Sequence, residues 1–328
     1  MHNILLPVDE NIKLALADLC ADIPVAFPTE TVYGLGGNAY SDNAVTKVFK
    51  YKDRSLTNPV SVFYKNIEHI AEDLHIGDNA AAIIKCFLPG PITVALKRKK
   101  NSRISQLCSA GADTVGVRIS SHPIVMKLLS MLPFPLTAPS ANRSNTFSPT
   151  TAQLVSEQMK EVASLMILDG GSCSVGMEST VIDCSGEIPV LVRLGAIPVD
   201  EIMERCGIAV DTHDYFENTM IKNYQSSKNV IINVKEAGNF DALLAYGTPF
   251  ENNCSHVLNL SSTSNLNEAA ANFFAMLSAL EKTDAENICV MPIPNEGVGA
   301  AINNRLMKAV GSNLSSATIS DLRKNTIF

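Results

Sequence analysis

The sequence predicts an α/β protein of two domains, and three observations lead to this prediction. The chain has 328 residues, which is more than a single hydrophobic core usually supports. Apolar runs typical of buried strands alternate with segments of helical periodicity, and one polar, aperiodic stretch interrupts that alternation. We therefore predict a domain with a twisted mixed sheet over residues 1–208, a linker over 209–229, and a small Rossmann-like parallel domain over 230–328.

The first domain begins with a helix, because residues 9–21 place Ile12, Leu16 and Leu19 at helical spacing behind an acidic start that suits the helix dipole. Strands and helices then follow one another. The predicted strands are IPVAFP, PVSVFY, ITVALK, TVGVRIS, FPLTA, LMILDG, STVIDC and PVLVRL. The predicted helices lie near DNAVTKVFKY, IEHIAEDL, DNAAAIIKCF and SHPIVMKLLSML. So many strands with interleaved helices indicate one mixed sheet.

A second alternation begins at Val230. Its predicted strands are VIINV, ALLAYG, HVLNLS and ICVMPIP, and its predicted helices are NLNEAAANFFAMLSALEK and AAINNRLMKAV. Because long helices separate these strands, we predict a parallel sheet. This part of the chain contains no G-x-G-x-x-G sequence, so dinucleotide binding there has little support.

Composition argues against several classes of protein. The formal net charge of −7 disfavours a protein that coats nucleic acid non-specifically, although it is compatible with a local basic cleft. The first residues lack a basic stretch followed by an apolar core, and no apolar run is long enough to cross a bilayer, so we expect a cytoplasmic protein without membrane contact. The eight cysteines lie far apart without a C-x-x-C pair, so we expect free thiols and no metal site.

Two polar clusters early in the chain carry groups that suit an anionic ligand. The stretch PTETVYGLGGNA follows a predicted strand and contains three glycines, which is typical of a turn and permits close approach of a ligand. Lys52 and Arg54 lie two residues apart, just before Asn58, and such a pair can bind a polyphosphate. Taken alone, the pair is also explained by a solvated basic turn.

A loop rich in hydroxyl and amide side chains, PSANRSNTFSP, follows the strand FPLTA. Four of its side chains offer donors to an anion: Ser140, Asn142, Ser144 and Ser148. A turn that caps a helix starting near Thr150 is an equally good local explanation. The chain contains no Ser-His-Asp order, G-x-S-x-G elbow, H-E-x-x-H sequence or P-loop, so hydrolases, zinc peptidases and P-loop ATPases are disfavoured.

Six short motifs occur in a characteristic order: PTETVYGL, KDR followed by NP, VGVRI, PLTAPSAN with SPT, GMESTVID and VRLGAI. Together they resemble the threonylcarbamoyl-AMP synthase family, the YrdC-like proteins of tRNA modification. This resemblance spans roughly residues 5–205 and implies a YrdC-like fold for the first domain. The remainder, with EAAANFFAMLSALE and PIPNEGVGAAINNRLMKA, is similar to the extra C-terminal domain of the family's long form.

The resemblance implies a nucleotidyltransferase, an L-threonylcarbamoyladenylate synthase. Such an enzyme condenses L-threonine, bicarbonate or CO2, and ATP with release of pyrophosphate, and Mg2+ acts through the phosphates. The product passes to a partner complex that transfers the threonylcarbamoyl group to adenosine 37 of tRNA. Because the carbamate oxygen is itself the nucleophile toward the α-phosphate, no covalent residue is needed, and the lack of a catalytic triad is expected.

The resemblance also assigns site residues by position. The catalytic residues would be Lys52, Arg54, Ser140 and Asn142. The ATP-binding residues would be Lys52, Arg54, Asn58, Thr114, Ser140, Asn142, Ser148, Arg193 and Asn223. The residues that bind L-threonine would be Thr31, Phe63, Arg118, Ala138 and Ser179, with Arg118 as the partner of its carboxylate.

Two departures from the family pattern bear on the activity. NPVSVF places Phe63 where the family has a histidine of the amino-acid pocket, which could weaken threonine binding or change the amino acid selected. In the linker, ENTMIKNYQSS corresponds to a segment that folds over the active site, and Asn223 replaces its histidine. Two alternatives therefore stay open: a YrdC-like paralogue that binds RNA or a nucleotide without catalysis, and an enzyme that uses a different amino acid.

Overall fold

The computed structural model describes residues 3–213, 215 and 226–310. The chain divides into two compact units: Met1–Ser144 with Ser148–Tyr215, and Asn145–Phe147 with Phe216–Phe328. The predicted fold class is confirmed, because the first unit contains a large mixed sheet and the second a small parallel one. The boundaries predicted at residues 208 and 229 stay predictions, and much of the predicted linker, including Asn223, lies outside the described residues.

The elements of the first unit follow the predicted alternation. Its helices are α1 (Asp9–Cys20), α2 (Asp42–Lys52), α3 (Ile67–Asp73), α4 (Asp78–Phe87), α5 (Pro123–Met131), α6 (Ala152–Gln158) and α7 (Val199–Cys206), with a 3-10 turn at Gln106–Ser109. Its strands are β1 (Asn3–Leu5), β2 (Val25–Phe27), β3 (Gly34–Asn38), β4 (Val62–Phe63), β5 (Ile92–Lys97), β6 (Thr114–Arg118), β7 (Leu136–Thr137), β8 (Met166–Leu168), β9 (Thr180–Asp183) and β10 (Val190–Arg193).

In the described part of the first unit, the strands form one sheet in the order β1-β8-β2-β3-β7-β4-β6-β5-β9-β10. Strand β3 pairs antiparallel with β2 and β7, whereas β4 runs parallel to β6 and β5 runs parallel to β9. The register of β4 and β6 pairs Phe63 with Arg118. The register of β5 and β9 pairs Thr93 with Val181, one residue past the start of β9. The mixed sheet thus brings side chains from distant parts of the chain to one place.

The prediction of a turn over PTETVYGLGGNA is wrong in its second half, which forms β3. Three glycines have a low propensity for strands and therefore favour the interpretation as a turn. The structure instead buries β3 between two neighbouring strands. A Cβ atom at Gly36 would lie 2.3 Å from Cε1 of Phe27, so the glycine makes room for that ring.

The second unit contains strands β11 (Asn229–Ile232), β12 (Asp241–Ala245), β13 (His256–Asn259) and β14 (Asn287–Val290), with helices α8 (Leu266–Leu280) and α9 (Val298–Val310). Its described strands form a four-stranded sheet in the order β11-β14-β12-β13, and every pairing is parallel, as predicted. The Asn265 side chain caps α8 by accepting hydrogen bonds from the backbone N–H groups of Asn267 and Glu268. None of the described helices combines the length and the apolar character needed to cross a membrane.

A buried polar network ties α3 to the sheet of the first unit. The hydroxyl groups of Tyr40 and Tyr64 donate to Oδ2 of Asp73, at 2.7 and 3.1 Å, and the backbone N–H of Arg103 donates to Oδ1 at 2.9 Å. Nε2 of the buried His69 lies 3.2 Å from the Tyr40 hydroxyl oxygen. Burial lowers the pKa of His69 below its ordinary value, so the network favours a neutral imidazole.

We expect His69→Gln to flatten the dependence of stability on pH. Because the pKa of His69 is lower in the folded than in the unfolded chain, the unfolded chain binds more protons, and the wild type loses stability as the pH falls below about 6.5. The variant lacks this contribution. Thermal unfolding between about pH 7.5 and 5 measures the slope, and His75→Gln, at an exposed position, is the control that keeps the wild-type slope. Equal slopes in all three proteins would contradict the prediction.

Candidate functional site

The first unit contains a pocket with a volume of about 100 Å³. This volume is well above the roughly 10–15 Å³ that one water molecule needs. Its lining includes all five residues that the family resemblance assigns to threonine: Thr31, Phe63, Arg118, Ala138 and Ser179. Of the residues assigned to ATP, Ser140 and Arg193 also line it. The structure thus gathers seven predicted residues around one small cavity.

Arg118 in the pocket wall forms a buried ion pair with Glu30, which does not itself line the pocket. Nη2 of Arg118 lies 2.7 Å from Oε1 of Glu30, Nη1 donates to Oγ1 of Thr31 at 2.9 Å, and Nε donates to the Gly90 carbonyl at 3.1 Å. The Ser120 hydroxyl donates to the other oxygen of Glu30. Burial acts to raise the pKa of Glu30, but the charge of Arg118 and these hydrogen bonds outweigh it and hold the pKa below its ordinary value. A guanidinium held in this way can bind a carboxylate without first being ordered.

Phe63 forms the apolar part of the same wall. The guanidinium carbon of Arg118 lies 5.1 Å from the centroid of the Phe63 ring, which is a cation–π contact between cross-strand neighbours. The ring is buried and offers no hydrogen bond to a ligand. It therefore supports Arg118 and presents an apolar surface where the family pattern has an imidazole.

Hydroxyl groups and a second arginine form the other side of the pocket. Oγ of Ser179 lies 2.7 Å from Oγ1 of Thr93. Nη2 of Arg193 donates to the Ser179 hydroxyl at 2.9 Å and to its carbonyl at 2.8 Å. Arg193 is the last residue of β10, and its hydrogen bonds to Ser179 tie this strand end to the segment just before β9. These contacts fix the position of Ser179, one of the predicted threonine residues.

Lys52, at the end of α2, is 1% exposed and holds the neighbouring loop. Its Nζ donates to the carbonyl of Ser140, to the carbonyl of Asn142 at 2.7 Å and to Oδ1 of Asn142 at 3.3 Å. Burial, and then the charge of Arg54, hold the pKa of Lys52 well below its ordinary value. The three acceptors act in the opposite direction, because only an ammonium group donates three hydrogen bonds. In this structure Lys52 fixes the backbone that carries Ser140 and Asn142 and does not line the pocket.

The start of this loop continues the sheet. Ser140 forms an antiparallel bridge with Gly34, and the Leu35 N–H donates to the Pro139 carbonyl at 2.8 Å. Together with Lys52, these contacts leave the backbone around Ser140 little freedom to move. The loop is therefore held in one conformation before any ligand arrives.

The end of the loop contacts a different part of the pocket. The Ser148 hydroxyl donates to Oε1 of Glu178 at 2.8 Å. The following helix, α6, is capped by the side chain of Thr151, which accepts from the backbone N–H of Leu154. The helix-cap explanation therefore accounts for Thr151 and leaves the polar side chains of the loop for other contacts.

Arg54 and Arg193 lie close enough to repel each other. Nε of Arg54 donates to the carbonyl of Asn58 at 3.1 Å, and Nη2 donates to that of Pro59 at 2.8 Å. Burial, followed by the charge of Arg193, lowers the pKa of Arg54 to about 10. An anion bound between the two guanidinium groups would relieve this repulsion, which favours a phosphate-bearing ligand.

Thr114, one of the residues assigned to ATP, lies away from the pocket. Thr114 begins β6, four residues before Arg118 and on the same face, so the two positions are about 13 Å apart along the strand. Asn223 lies outside the described residues. Among the residues that the structure describes, no group of three or more His, Cys, Asp or Glu side chains is arranged to hold a metal ion.

We expect Gly195→Ala to destabilise the protein by about 1–3 kcal/mol and to weaken ligand binding at the pocket. A Cβ atom at Gly195 would lie 2.4 Å from backbone atoms of Glu178, Ser179 and Thr180, so the segment that carries Ser179 would have to move. Urea denaturation measures the change. Gly186→Ala is the matched control, because its nearest contact would be an ordinary 3.7 Å. Equal stability of the two variants would show that the segment yields without cost.

Comparison with known proteins identifies the family. A family model described as telomere recombination matches residues 19–195, and one described as threonylcarbamoyl-AMP synthase, C-terminal domain, matches residues 210–311. The threonylcarbamoyl-AMP synthase of Pyrococcus abyssi is 34% identical over 316 residues, covering 88% of this chain and 90% of the relative. That of Bacillus subtilis is 32% identical over 340 residues, covering 92% and 94%. The chain belongs to the threonylcarbamoyl-AMP synthase family.

The fold agrees with this membership. A crystal structure of P. abyssi Sua5 complexed with L-threonine matches with a TM-score of 0.83 at 30% identity, over 94% of this chain and 97% of that one. The predicted family, its long two-domain form and the prediction of an enzyme are confirmed. The roles of individual residues stay predictions.

Two carboxylates at the candidate site, those of Glu30 and Glu178, were not among the site residues predicted from the sequence. Each directly precedes a predicted threonine residue, Thr31 or Ser179, in a motif that carries the family resemblance. A charged residue inside an otherwise apolar or hydroxyl-rich segment is rarely buried without a partner. This rule could have identified Glu30 and Glu178 as candidate site residues from the sequence.

Proposed function

We propose that the protein is an L-threonylcarbamoyladenylate synthase. It condenses L-threonine, bicarbonate or CO2, and ATP into threonylcarbamoyl-adenylate and releases pyrophosphate. The observation that carries this proposal is the small pocket in which a buried arginine faces hydroxyl side chains. A zwitterionic amino acid with its own hydroxyl group suits such a lining better than an apolar ligand does.

Threonine would bind through its two ends. Arg118, held by Glu30 and Thr31, pairs with the carboxylate, and the Ala138 backbone and the Ser179 hydroxyl complete the polar contacts. The methyl group packs on Phe63. Because each of these groups is already positioned by its neighbours, little ordering entropy is lost on binding.

The reaction then needs positioning and charge rather than a protein nucleophile. The neutral amine attacks CO2, so an N–C bond forms while one C=O π bond opens onto its oxygen, and the nitrogen gives its proton to water. A carbamate oxygen attacks the α-phosphorus, the bond from that phosphorus to the bridging oxygen breaks, and pyrophosphate leaves with the electron pair. Arg54 and Arg193 stabilise the phosphate charge, while Lys52 holds the loop of Ser140 and Asn142 against the nucleotide.

ATP would extend from the pocket along the remaining assigned residues. These are Lys52, Arg54, Asn58, Thr114, Ser140, Asn142, Ser148, Arg193 and Asn223. We assign Mg2+ to the triphosphate, because this ion usually binds substrate phosphates and keeps several waters. The product would pass to a partner complex that modifies adenosine 37 of tRNA, in the cytoplasm.

Product formation tests the proposal directly. The protein is incubated with ATP, Mg2+ and bicarbonate, with L-threonine present, omitted or replaced by each other amino acid, and the nucleotide product is identified by mass. We expect pyrophosphate and threonylcarbamoyl-adenylate in equal amounts only when threonine is present. No adenylate with any amino acid would overturn the proposal, and RNA binding that weakens steeply with salt would then favour the non-catalytic alternative.

A second candidate function is the same reaction with a different amino acid, and Phe63 favours it. An apolar ring in the pocket removes a hydrogen-bonding partner and suits a less polar side chain. The amino-acid panel separates the two functions, since greater product formation with another amino acid than with threonine would support the second. In that case Phe63→His should shift the preference back toward threonine.

A further inference from the structure

We propose that Cys86 and Cys206 are a redox-active pair, which hydrogen peroxide joins in a reversible disulfide bond between helices α4 and α7. The two cysteines lie far apart in the sequence and belong to none of the motifs that carry the family resemblance. Neither helix contributes to the pocket lining that the described residues form. The chemistry of this pair is therefore separate from the proposed function.

The fold brings the two thiols together. Helices α4 and α7 pack against each other in the first unit. Cys86 lies in the last turn of α4, and Cys206 is the last residue of α7. Both side chains are half-buried against the same hydrophobic core, and their thiol groups lie within hydrogen-bonding distance of each other. A disulfide bond requires such an approach of two sulfur atoms without movement of the backbone.

Arg205 holds the ends of the two helices against each other. Its Nη2 donates to the Cys86 carbonyl at 3.1 Å, and its guanidinium carbon lies 4.3 Å from the centroid of the Phe87 ring. Sγ of Cys86 in turn donates to the Arg205 carbonyl at 3.7 Å. These contacts run in both directions between α4 and α7, so the two sulfur atoms stay close. The nearby cation also favours a thiolate over a thiol.

The neighbouring cysteines differ in the step that they suit. Burial, followed by the hydrogen bond with Cys86, raises the pKa of Cys206 to about 11. We therefore assign the first attack on the oxidant to Cys86 and the second step to Cys206, whose proximity offsets its small thiolate fraction. A third thiol, that of Cys184, is close enough to interact with Cys206. Burial raises the pKa of Cys184 to about 12, so it is the least suited to react.

The reaction consumes one molecule of hydrogen peroxide. The Cys86 thiolate attacks one peroxide oxygen, the O–O bond breaks, and hydroxide leaves as water with the proton that the thiol released. Cys86 is then a sulfenic acid. The Cys206 sulfur attacks the Cys86 sulfur, an S–S bond forms, the S–O bond breaks, and the hydroxyl group leaves with the Cys206 proton as a second water. Two thiols thus give up two electrons, which reduce the peroxide.

Two free thiols that only fill space in the core would behave differently. A half-buried cysteine also packs as a small apolar side chain, with no redox role. In that case peroxide would oxidise Cys86 beyond the sulfenic acid to a sulfinic acid, because no second sulfur intercepts it. The product of oxidation therefore separates a redox-active pair from simple packing.

The test treats the full chain with hydrogen peroxide, blocks the remaining thiols with iodoacetamide, and maps the peptides by mass without reductant. The protein carries Cys20→Ser, because the exposed thiol of Cys20 would otherwise cross-link separate molecules. We expect a loss of two hydrogen atoms, a peptide that joins Cys86 to Cys206, and full reversal by dithiothreitol. Adding Cys206→Ser should abolish this peptide and leave a sulfinic acid at Cys86, whereas the matched control Cys184→Ser should retain the peptide.

Two further measurements depend on the folded geometry. In urea, the same treatment should lose its preference for this pair, because the two cysteines are then no longer held together. The cross-linked folded protein should unfold at a Tm about 5 °C or more above that of the reduced protein, since the bond closes a long loop of the unfolded chain.

Three results would overturn the proposal. They are a sulfinic acid at Cys86 without a cross-link, an equal preference for the pair in urea, and a lower Tm of the cross-linked protein, which would show that the bond forms only by distorting the packing of the helices. Circular dichroism of each variant shows that the fold is retained. Because no substrate is present, each of these results leaves the proposed function intact.

Discussion

Lys52→Ala is expected to lower turnover at least about 100-fold and also to destabilise the protein by about 3 kcal/mol. The sequence alone suggests a lysine that contacts phosphates, whose loss would leave the fold intact. The structure gives it a second role, because the buried Nζ donates to two carbonyl groups and to the Asn142 side chain. Removing it leaves buried acceptors without a donor, each of which costs about 1–3 kcal/mol. The loop of Ser140 and Asn142 then loses its fixed conformation.

Lys50→Ala is the matched control for this prediction. Lys50 lies two residues earlier on α2 and is exposed, so its replacement should change stability by less than about 0.5 kcal/mol and leave turnover unchanged. Urea denaturation and steady-state kinetics on both variants measure the two effects. Loss of turnover at wild-type stability would show that Lys52 serves the nucleotide alone and that the loop needs no support from it.

The sequence predicted the elements whose patterns are local. Helix α1 follows from the spacing of Ile12, Leu16 and Leu19, and the structure ends it at Cys20, one residue before the predicted end. Strand β3 could not be predicted in this way. Its glycines favour a turn by propensity, but in the structure the ring of Phe27 from the neighbouring strand fills the space beside Gly34 and Gly36, and Val48 of α2 fills that beside Gly37.

The candidate site shows the same division between local and distant information. The residues assigned from the family resemblance include several that line one pocket in the structure, such as Thr31 and Ser179. It did not reveal that Lys52 points at a loop 88 residues further along the chain, or that Glu178 accepts the hydroxyl of Ser148, 30 residues away. Partners of this kind are set by the packing of the sheet, and no periodicity in the sequence encodes them.

Arg118→Ala is expected to produce the largest loss of stability, about 3–5 kcal/mol, together with a large rise in the KM for the amino acid. The variant would leave Glu30 buried without its guanidinium partner, which now lies 2.7 Å away. In the double variant Arg118→Ala/Glu30→Gln, no charge is left buried, so much of the stability should return. The KM should stay high, because the partner of the substrate carboxylate is still missing. Recovery of both properties would show that Arg118 acts only through the fold.

The dependence of stability on pH provides an independent test of the same pair. In the wild type the pKa of Glu30 is held below its ordinary value of 4.5, so its contribution to stability is present above that pH and is lost as the pH falls through the folded-state pKa. In Arg118→Ala the charge that offsets burial is gone. Burial, the largest influence on Glu30, then raises the pKa of this carboxyl group. The folded chain then binds the proton more tightly than the unfolded chain, so the variant regains stability on acidification. We therefore expect the difference in Tm between Arg118→Ala and wild type to shrink from about pH 7 to 5, and a constant difference would mean that Glu30 finds another partner.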